Sequence, residues 1–438
     1  MANPYLPSWE YIPDGEPRVF GDRVYVYGSH DRVDCEAFCD YKLKVWSASI
    51  HDLEHWVCHG DVFRTRSGED RPTEVDWTEN ELYAPDVVEK NGKYYLYAYI
   101  VNAKGCVAVS DRPEGPFRFL SQYQYNIPEH YDDGTFIDPG VLVDDDGRVY
   151  VYCGFEGSYL CEINGDNMYQ VIDGTYQTDI IPVTETEEGF FEACSPRKIG
   201  DTYYLIYSPR VGSRLAYATS NSPVGPFTYR GYIVDNGVDY PGGNNHGSIC
   251  QIGDQWYVFY HRMTNGSIMS RRGCVERISI LEDGTIPPVE MTSLGFEDAL
   301  NPYEMTPADT VCVLKEGKAF ITELDPFTRV ITNITDGCIM GWKYYDFGED
   351  YTGEEMTFMM KLLPRGCHGT IHICIDDEKR EIGLVEFQRD STVIRGKVKN
   401  ITGRHAVYLV VQDGYAGWSA CYFQGRQLFD LVEFQFCK

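Results

Sequence analysis

The chain has 438 residues, 43% hydrophobic and 24% charged, the proportions of a globular protein large enough for more than one core. Its formal net charge of −29 at pH 7 repels phosphate backbones and anionic lipid headgroups, which argues against nucleic-acid and membrane partners. No apolar run reaches the roughly 18 residues that a membrane helix needs, no signal-like segment follows Met1, and fifteen cysteines fall without a framework spacing, so reduced thiols and a cytoplasmic location are expected.

In chain order, five segments share one design: VFGDRVYVYGSHD, EKNGKYYLYAYI, VDDDGRVYVYCGF, RKIGDTYYLIYS and CQIGDQWYVFYHR. Each is a turn glycine followed by an alternating aromatic and β-branched run, the pattern of a β-hairpin. The turn glycines, Gly21, Gly92, Gly147, Gly200 and Gly253, are spaced by 71, 55, 53 and 53 residues. That period suits the blades of a propeller, in which radial closure protects the sheet edges. A second repeat agrees: AVSDRPEGPF from Ala108 and ATSNSPVGPF from Ala218 end alike. Helical periodicity is nearly absent from residues 1–300, so four-stranded blades are expected rather than βαβ units. Cys35 and Cys39 lack a second pair of the kind that holds zinc.

Upstream of the five glycines stand Asp14, Asp86, Asp138, Glu192 and His246, at separations of 7, 6, 9, 8 and 7 residues. Equivalent blades would bring all five to the central axis at similar heights. Asp14, in Pro-Asp-Gly, and Asp138, before Pro139, also suit ordinary turns. Glu192 is framed by Phe190, Phe191, Ala193 and Cys194, an apolar setting that raises a carboxyl pKa and makes a general acid.

These motifs, in this order, resemble glycoside hydrolase family 43, five-bladed propellers that cleave xylosides and furanosides with inversion; the likeness covers about residues 3–295. The resemblance implies Asp14 as general base, Asp138 as the carboxylate that tunes the acid and orients substrate, and Glu192 as general acid. It implies His246 as an axial histidine beside a water-coordinated calcium or other central ion. Arg272 resembles the family's basic pocket residue, with neighbouring Arg271 as the alternative, and His30, Asp31 and Asp86 are expected to line the substrate subsite. The implied activity is exo-acting release of xylose or arabinose from oligosaccharides, with β-galactosidase action or a non-catalytic sugar-binding propeller as alternatives.

The propeller motifs stop after IPPVEMTS, which divides the chain into residues 1–300 and 301–438. The second part alternates as a β-sandwich does, in GTIHICIDD, EIGLVEFQ, RHAVYLVV and LFDLVEFQF. Those runs resemble carbohydrate-binding modules of family 6. A structural or pocket-edge role is expected there, with Tyr344, Tyr345 and Trp418 as candidates for stacking on sugar. The fold class expected for the whole chain is therefore all-β, a five-bladed β-propeller followed by a β-sandwich.

Overall fold

The structure is a computed structural model that describes residues 2–33, 35–126, 136–181, 188–417 and 420–438. Among these, nineteen strands form the five expected blades. Blade 1 holds β1 (Glu16–Phe20), β2 (Arg23–Tyr27), β3 (Lys42–Ser49) and β4 (Asp52–Arg64), and blade 2 holds β5 (Leu82–Lys90), β6 (Lys93–Ile100), β7 (Ala103–Ser110) and β8 (Arg118–Gln122). Blade 3 holds β9 (Gly140–Val143), β10 (Val149–Cys153), β11 (Tyr159–Ile163) and β12 (Gln177–Thr178). Blade 4 holds β13 (Phe190–Ile199), β14 (Thr202–Pro209), β15 (Arg214–Ser220) and β16 (Thr228–Asp235). Blade 5 has three strands, β17 (Ser248–Ile252), β18 (Gln255–Thr264) and β19 (Ser267–Ile278). The Asn3 side chain covers the edge of β19: its Nδ2 donates to the Val275 carbonyl at 2.8 Å and its Oδ1 accepts from the Val275 N–H at 2.9 Å.

The five hairpin glycines all have φ between 59° and 82°, the left-handed turn conformation that glycine adopts without steric cost. The inner strands β1, β5, β9, β13 and β17 stand side by side around the axis. Strands such as β10 are buried along their whole length, because each blade packs between two neighbours. Tyrosine suits that setting, burying a ring while its hydroxyl reaches a carbonyl. Tyr27 donates to Pro113 O at 2.7 Å and Tyr152 to Pro223 O at 2.5 Å. Both prolines belong to the repeated S-x-x-P-x-G-P-F motif, so the motif recurs where one blade locks onto the next.

The C-terminal strands are β20 (Thr306–Pro307), β21 (Val313–Lys315), β22 (Phe320–Asp325), β23 (Thr328–Thr332), β24 (Ile339–Asp346), β25 (Glu355–Pro364), β26 (Gly369–Ile375), β27 (Glu381–Phe387), β28 (Val393–Lys399), β29 (Arg404–Asp413) and β30 (Phe429–Cys437). They form one continuous sandwich-like sheet ordered β21-β24-β29-β26-β27-β28-β25-β30-β23-β22, with β20 on β30. Trp342, Phe358, Phe434 and Phe436 lie in its core. Tyr345 is not a stacking platform: it is fully buried, and its hydroxyl lies 3.0 Å from Thr306 Oγ1. Tyr344 is engaged as well, under the Arg404 guanidinium and bonded to Glu290. Trp418 lies outside the described residues.

Candidate functional site

Asp14, Asp138 and His246 each stand two residues ahead of an inner strand, β1, β9 and β17, and Glu192 is third in β13. Their side chains meet in one cavity of about 420 Å³, walled by Phe38, Tyr83, Phe155 and Phe191. Asp14 and Asp138 themselves take left-handed φ angles of 55° and 50°, and Ala193, beside Glu192, has 71°. Non-glycine residues rarely occupy this region, and such strain gathers at functional sites.

Asp14 is the most heavily restrained acid. Arg271 Nη1 donates to its Oδ1 at 2.8 Å, and the Ser29 hydroxyl donates to its Oδ2 at 2.6 Å. His261 Nδ1 lies 3.4 Å from both its backbone N and its Oδ1. Burial alone would raise its pKa, but the Arg271 charge and the His261 contact outweigh burial and hold the carboxyl well below the usual carboxylate range.

Glu192 is the opposite case. Burial, with the Asp14 charge adding to it and Arg271 only partly offsetting, pushes its carboxyl up to about 7. Asp138 is also pushed well above its ordinary value, by burial and then by the charges of Glu192 and Asp14. One environment therefore keeps Asp14 ionised and favours a proton on the Glu192–Asp138 side of the pocket, the separation of roles that acid–base catalysis requires.

Four of the expected pocket residues have other tasks. Arg272 points away from the cavity to Asp309, at 2.8 Å, and Arg271 is the pocket arginine. Successive strand residues face opposite ways, so only one of the pair can enter. Asp31 does not line the cavity: both its oxygens accept from Arg271, through Nε and Nη2 at 2.9 Å, and so aim the guanidinium. His30 stands behind the wall, its Nδ1 2.9 Å from Asp40 and its Nε2 3.2 Å from Glu10. Asp86 lies a layer deeper, because a register shift between Tyr83 and Asp86 gives the pocket position to Tyr83. The Asp86 carboxylate accepts from Arg18 Nε at 3.0 Å and from the Val141 N–H at 2.7 Å.

Below the acids the axis is plugged. Arg18 links Asp86, Glu16 and the Val141 carbonyl, while Arg197 links Glu16, Ser195 and the carbonyls of Pro17 and Ile249. The cavity is consequently blind at its lower end.

His246 Nδ1 stands 3.7 Å from Asp14 Oδ1 and 3.8 Å from Asp138 Oδ2. Burial lowers its pKa to about 4, so at neutral pH the imidazole is uncharged and its lone pair is available. Among the described residues no cluster of three or more histidine, cysteine or acidic side chains could cage a metal. Calcium takes six to eight ligands, mostly oxygen, so the donor set fits only an ion held largely by water with His246 as its protein ligand.

Ser29, His261, Tyr83, Phe38 and Asn244 were not singled out by sequence. Ser29 and His261 sit inside strand-end motifs, GSHD and FYHR, whose period of two shows a face but not a contact.

Residues 12–286 match the profile of Glycosyl hydrolases family 43. A xylosidase/arabinosidase of Thermoclostridium stercorarium is 38% identical, over 93% of this chain and 95% of the relative. Among solved structures, a β-xylosidase/α-arabinofuranosidase from a compost microbial metagenome, in complex with xylotriose and described as a calcium-free form, is 27% identical over 66% of this chain and 97% of its own, with a TM-score of 0.55. An arabinoxylan arabinofuranohydrolase from Bacillus subtilis matches in fold over 100% of this chain and 97% of its own, at 23% identity and a TM-score of 0.55. Five blades, a blind axial pocket with three acids and a family match across the whole propeller agree: the chain belongs to glycosyl hydrolase family 43.

Proposed function

We propose that the protein is an inverting, exo-acting hydrolase that releases xylose or arabinose from short plant-polysaccharide oligosaccharides. The observation that carries this reading is the opposite setting of two acids in one pocket, Asp14 ionised against Arg271 and Glu192 protonated by its surroundings. Glu192 donates its proton to the departing glycosidic oxygen. Asp14 removes a proton from water, which attacks the anomeric carbon from the opposite face and inverts it. Asp138, which accepts a hydrogen bond from the Ala193 N–H, shares the buried site with Glu192, and the repulsion between the two carboxyls disfavours their both being ionised, which helps keep a proton in the pocket for the acid.

The pocket of about 420 Å³, walled on its sides by Phe38, Tyr83, Phe155 and Phe191, suits a chain end rather than a chain laid across it, which supports exo action. The Thermoclostridium stercorarium relative, a xylosidase/arabinosidase matched over nearly the whole chain, supports the choice of sugar. A bound calcium would be held by His246 and would supply positive charge beside Asp14 and Asp138. Fifteen free cysteines, most of them buried, support a reducing, cytoplasmic location and so a role in trimming imported oligosaccharides.

The test is hydrolysis of a panel of nitrophenyl glycosides, followed by NMR of the first-formed sugar. Activity is expected on β-xyloside and α-L-arabinofuranoside, with the released anomer opposite to that of the substrate. Preference for galactoside would overturn the sugar assignment, and a retained anomer the mechanism.

A further inference from the structure

The face of blade 5 opposite the pocket is gripped by the C-terminal sheet. Strands β18 and β19 pair antiparallel, with Arg262 opposite Arg272 and Met263 opposite Arg271. By strand alternation His261 and Arg271 share the face that meets Asp14, and Arg262 and Arg272 share the other. On that other face both arginines are almost fully buried, and both end on one short segment of the C-terminal part. Arg272 Nη1 donates to the Asp309 carboxylate at 2.8 Å, and Arg262 donates to the backbone carbonyls of Asp309 and Val311. Asp309 sits in a single 3₁₀ turn, Ala308–Thr310, between β20 and β21. A second brace holds the hairpin tip, where Asn265 N–H donates to Ile321 O at 2.6 Å and Phe320 of β22 packs over Gly266. Ile268, just beyond that tip, lines the pocket.

We propose that the C-terminal sheet is a positioning element of the active site, through a clamp in which Asp309 fixes Arg272 and Arg262 and thereby sets Arg271 and His261 against Asp14. Two buried guanidiniums are a costly way merely to join two sheets, because charges taken from water need full hydrogen bonding to break even. Their placement, one residue away in sequence from each of the two side chains that restrain the base, gives them a mechanical purpose. Displacing an aimed group by about 1 Å can cost up to about a hundredfold in rate. Asp309 is thus a positioning residue, acting through β19 on Arg271. The inference rests on Asp14 as the base, and its test separates the two.

The measurement is a double-mutant cycle on the full chain, with kcat and KM on the best nitrophenyl glycoside for Asp309→Asn, Arg271→Lys and the combination. Asp309→Asn keeps the side-chain volume and one acceptor. It is expected to lower kcat by about five- to tenfold with KM within about twofold, and to cost less than about twofold more when Arg271 is already lysine. A role confined to stability would lower kcat by the same factor in both backgrounds, and that result overturns the clamp. Full activity of Asp309→Asn beside an impaired Arg271→Lys also overturns it while leaving Asp14 as the base. Full activity of Arg271→Lys would instead contradict the reading of the Asp14 site. Arg272→Gln, which cuts the same link from the other end, repeats the cycle if Asp309→Asn does not fold, with the same outcomes decisive.

Discussion

Arg271 is bound to two carboxylates at once, with Nη1 on Asp14 at 2.8 Å and its Nε and Nη2 on Asp31. Asp31 takes no part in lining the pocket, yet it decides where the third nitrogen of the fork points, since a guanidinium held on two nitrogens has little freedom left.

Replacing Arg271 by methionine should therefore release Asp14. Its pKa is depressed in the folded protein, so its contribution to stability is present above the unfolded value and lost as pH falls toward the folded one. Without Arg271 that contribution disappears, and the acid limb of the kcat/KM profile moves to higher pH. Removing one partner from such a buried network costs about 3–5 kcal/mol. Denaturant titration and a pH–rate profile check both outcomes, and an unmoved acid limb would show that Arg271 does not set the charge of the base.

Ser29 makes a finer contribution. Its hydroxyl donates to Asp14 at 2.6 Å and accepts from the Ala84 N–H at 2.8 Å, joining the base to blade 2. Ser29→Ala leaves that buried N–H without its acceptor, at about 1–3 kcal/mol. Loss of aim at Asp14 should lower kcat by about tenfold with little change in KM. A raised KM with kcat unchanged would place Ser29 in substrate binding instead.

Glu192 ties catalysis to stability through pH. Its folded pKa, about 7, lies above the ordinary value of 4.5, so the group favours the folded state least once pH has risen past 7. The rate should fall as pH rises through about 7, because the acid must hold its proton. Glu192→Gln cannot ionise, and it should stabilise the fold by roughly 1–3 kcal/mol at pH 8 while changing little at pH 4. Thermal melts at the two pH values decide this, and equal effects at both would contradict a buried, neutral Glu192.

The blades were legible because turn glycines and strand alternation repeat, and each repeat must satisfy the same packing. The acids were legible for the same reason, three of them sitting where inner strands begin. Asp86 was misplaced by a register shift in β5 that no spacing reveals. The choice between Arg271 and Arg272 turned on which way one strand faces, which the sequence leaves undetermined at adjacent basic residues. Asp31 and His30 were expected to line the subsite and instead stand behind it, because Asp31 is taken up by Arg271 of β19 and His30 by Asp40 and Glu10, pairings that only the folded chain brings together. Tyr345 looked like a stacking ring because aromatic content does not distinguish a core from a surface.

The pairing of Glu192 as acid with Asp14 as base is tested most directly by the leaving group. A nitrophenolate departs without protonation, whereas the alcohol of a sugar chain does not. Glu192→Gln should lose about 10² to 10⁴ in kcat/KM on xylo- or arabino-oligosaccharides and far less on the nitrophenyl glycoside, while Asp14→Asn should be impaired on both. Glu188, exposed and with its carbonyl accepting from the Tyr207 hydroxyl, should tolerate glutamine on either substrate. If Glu192→Gln loses the same factor on both substrates, or if Glu188→Gln shows the leaving-group dependence in its place, the proton does not come from Glu192.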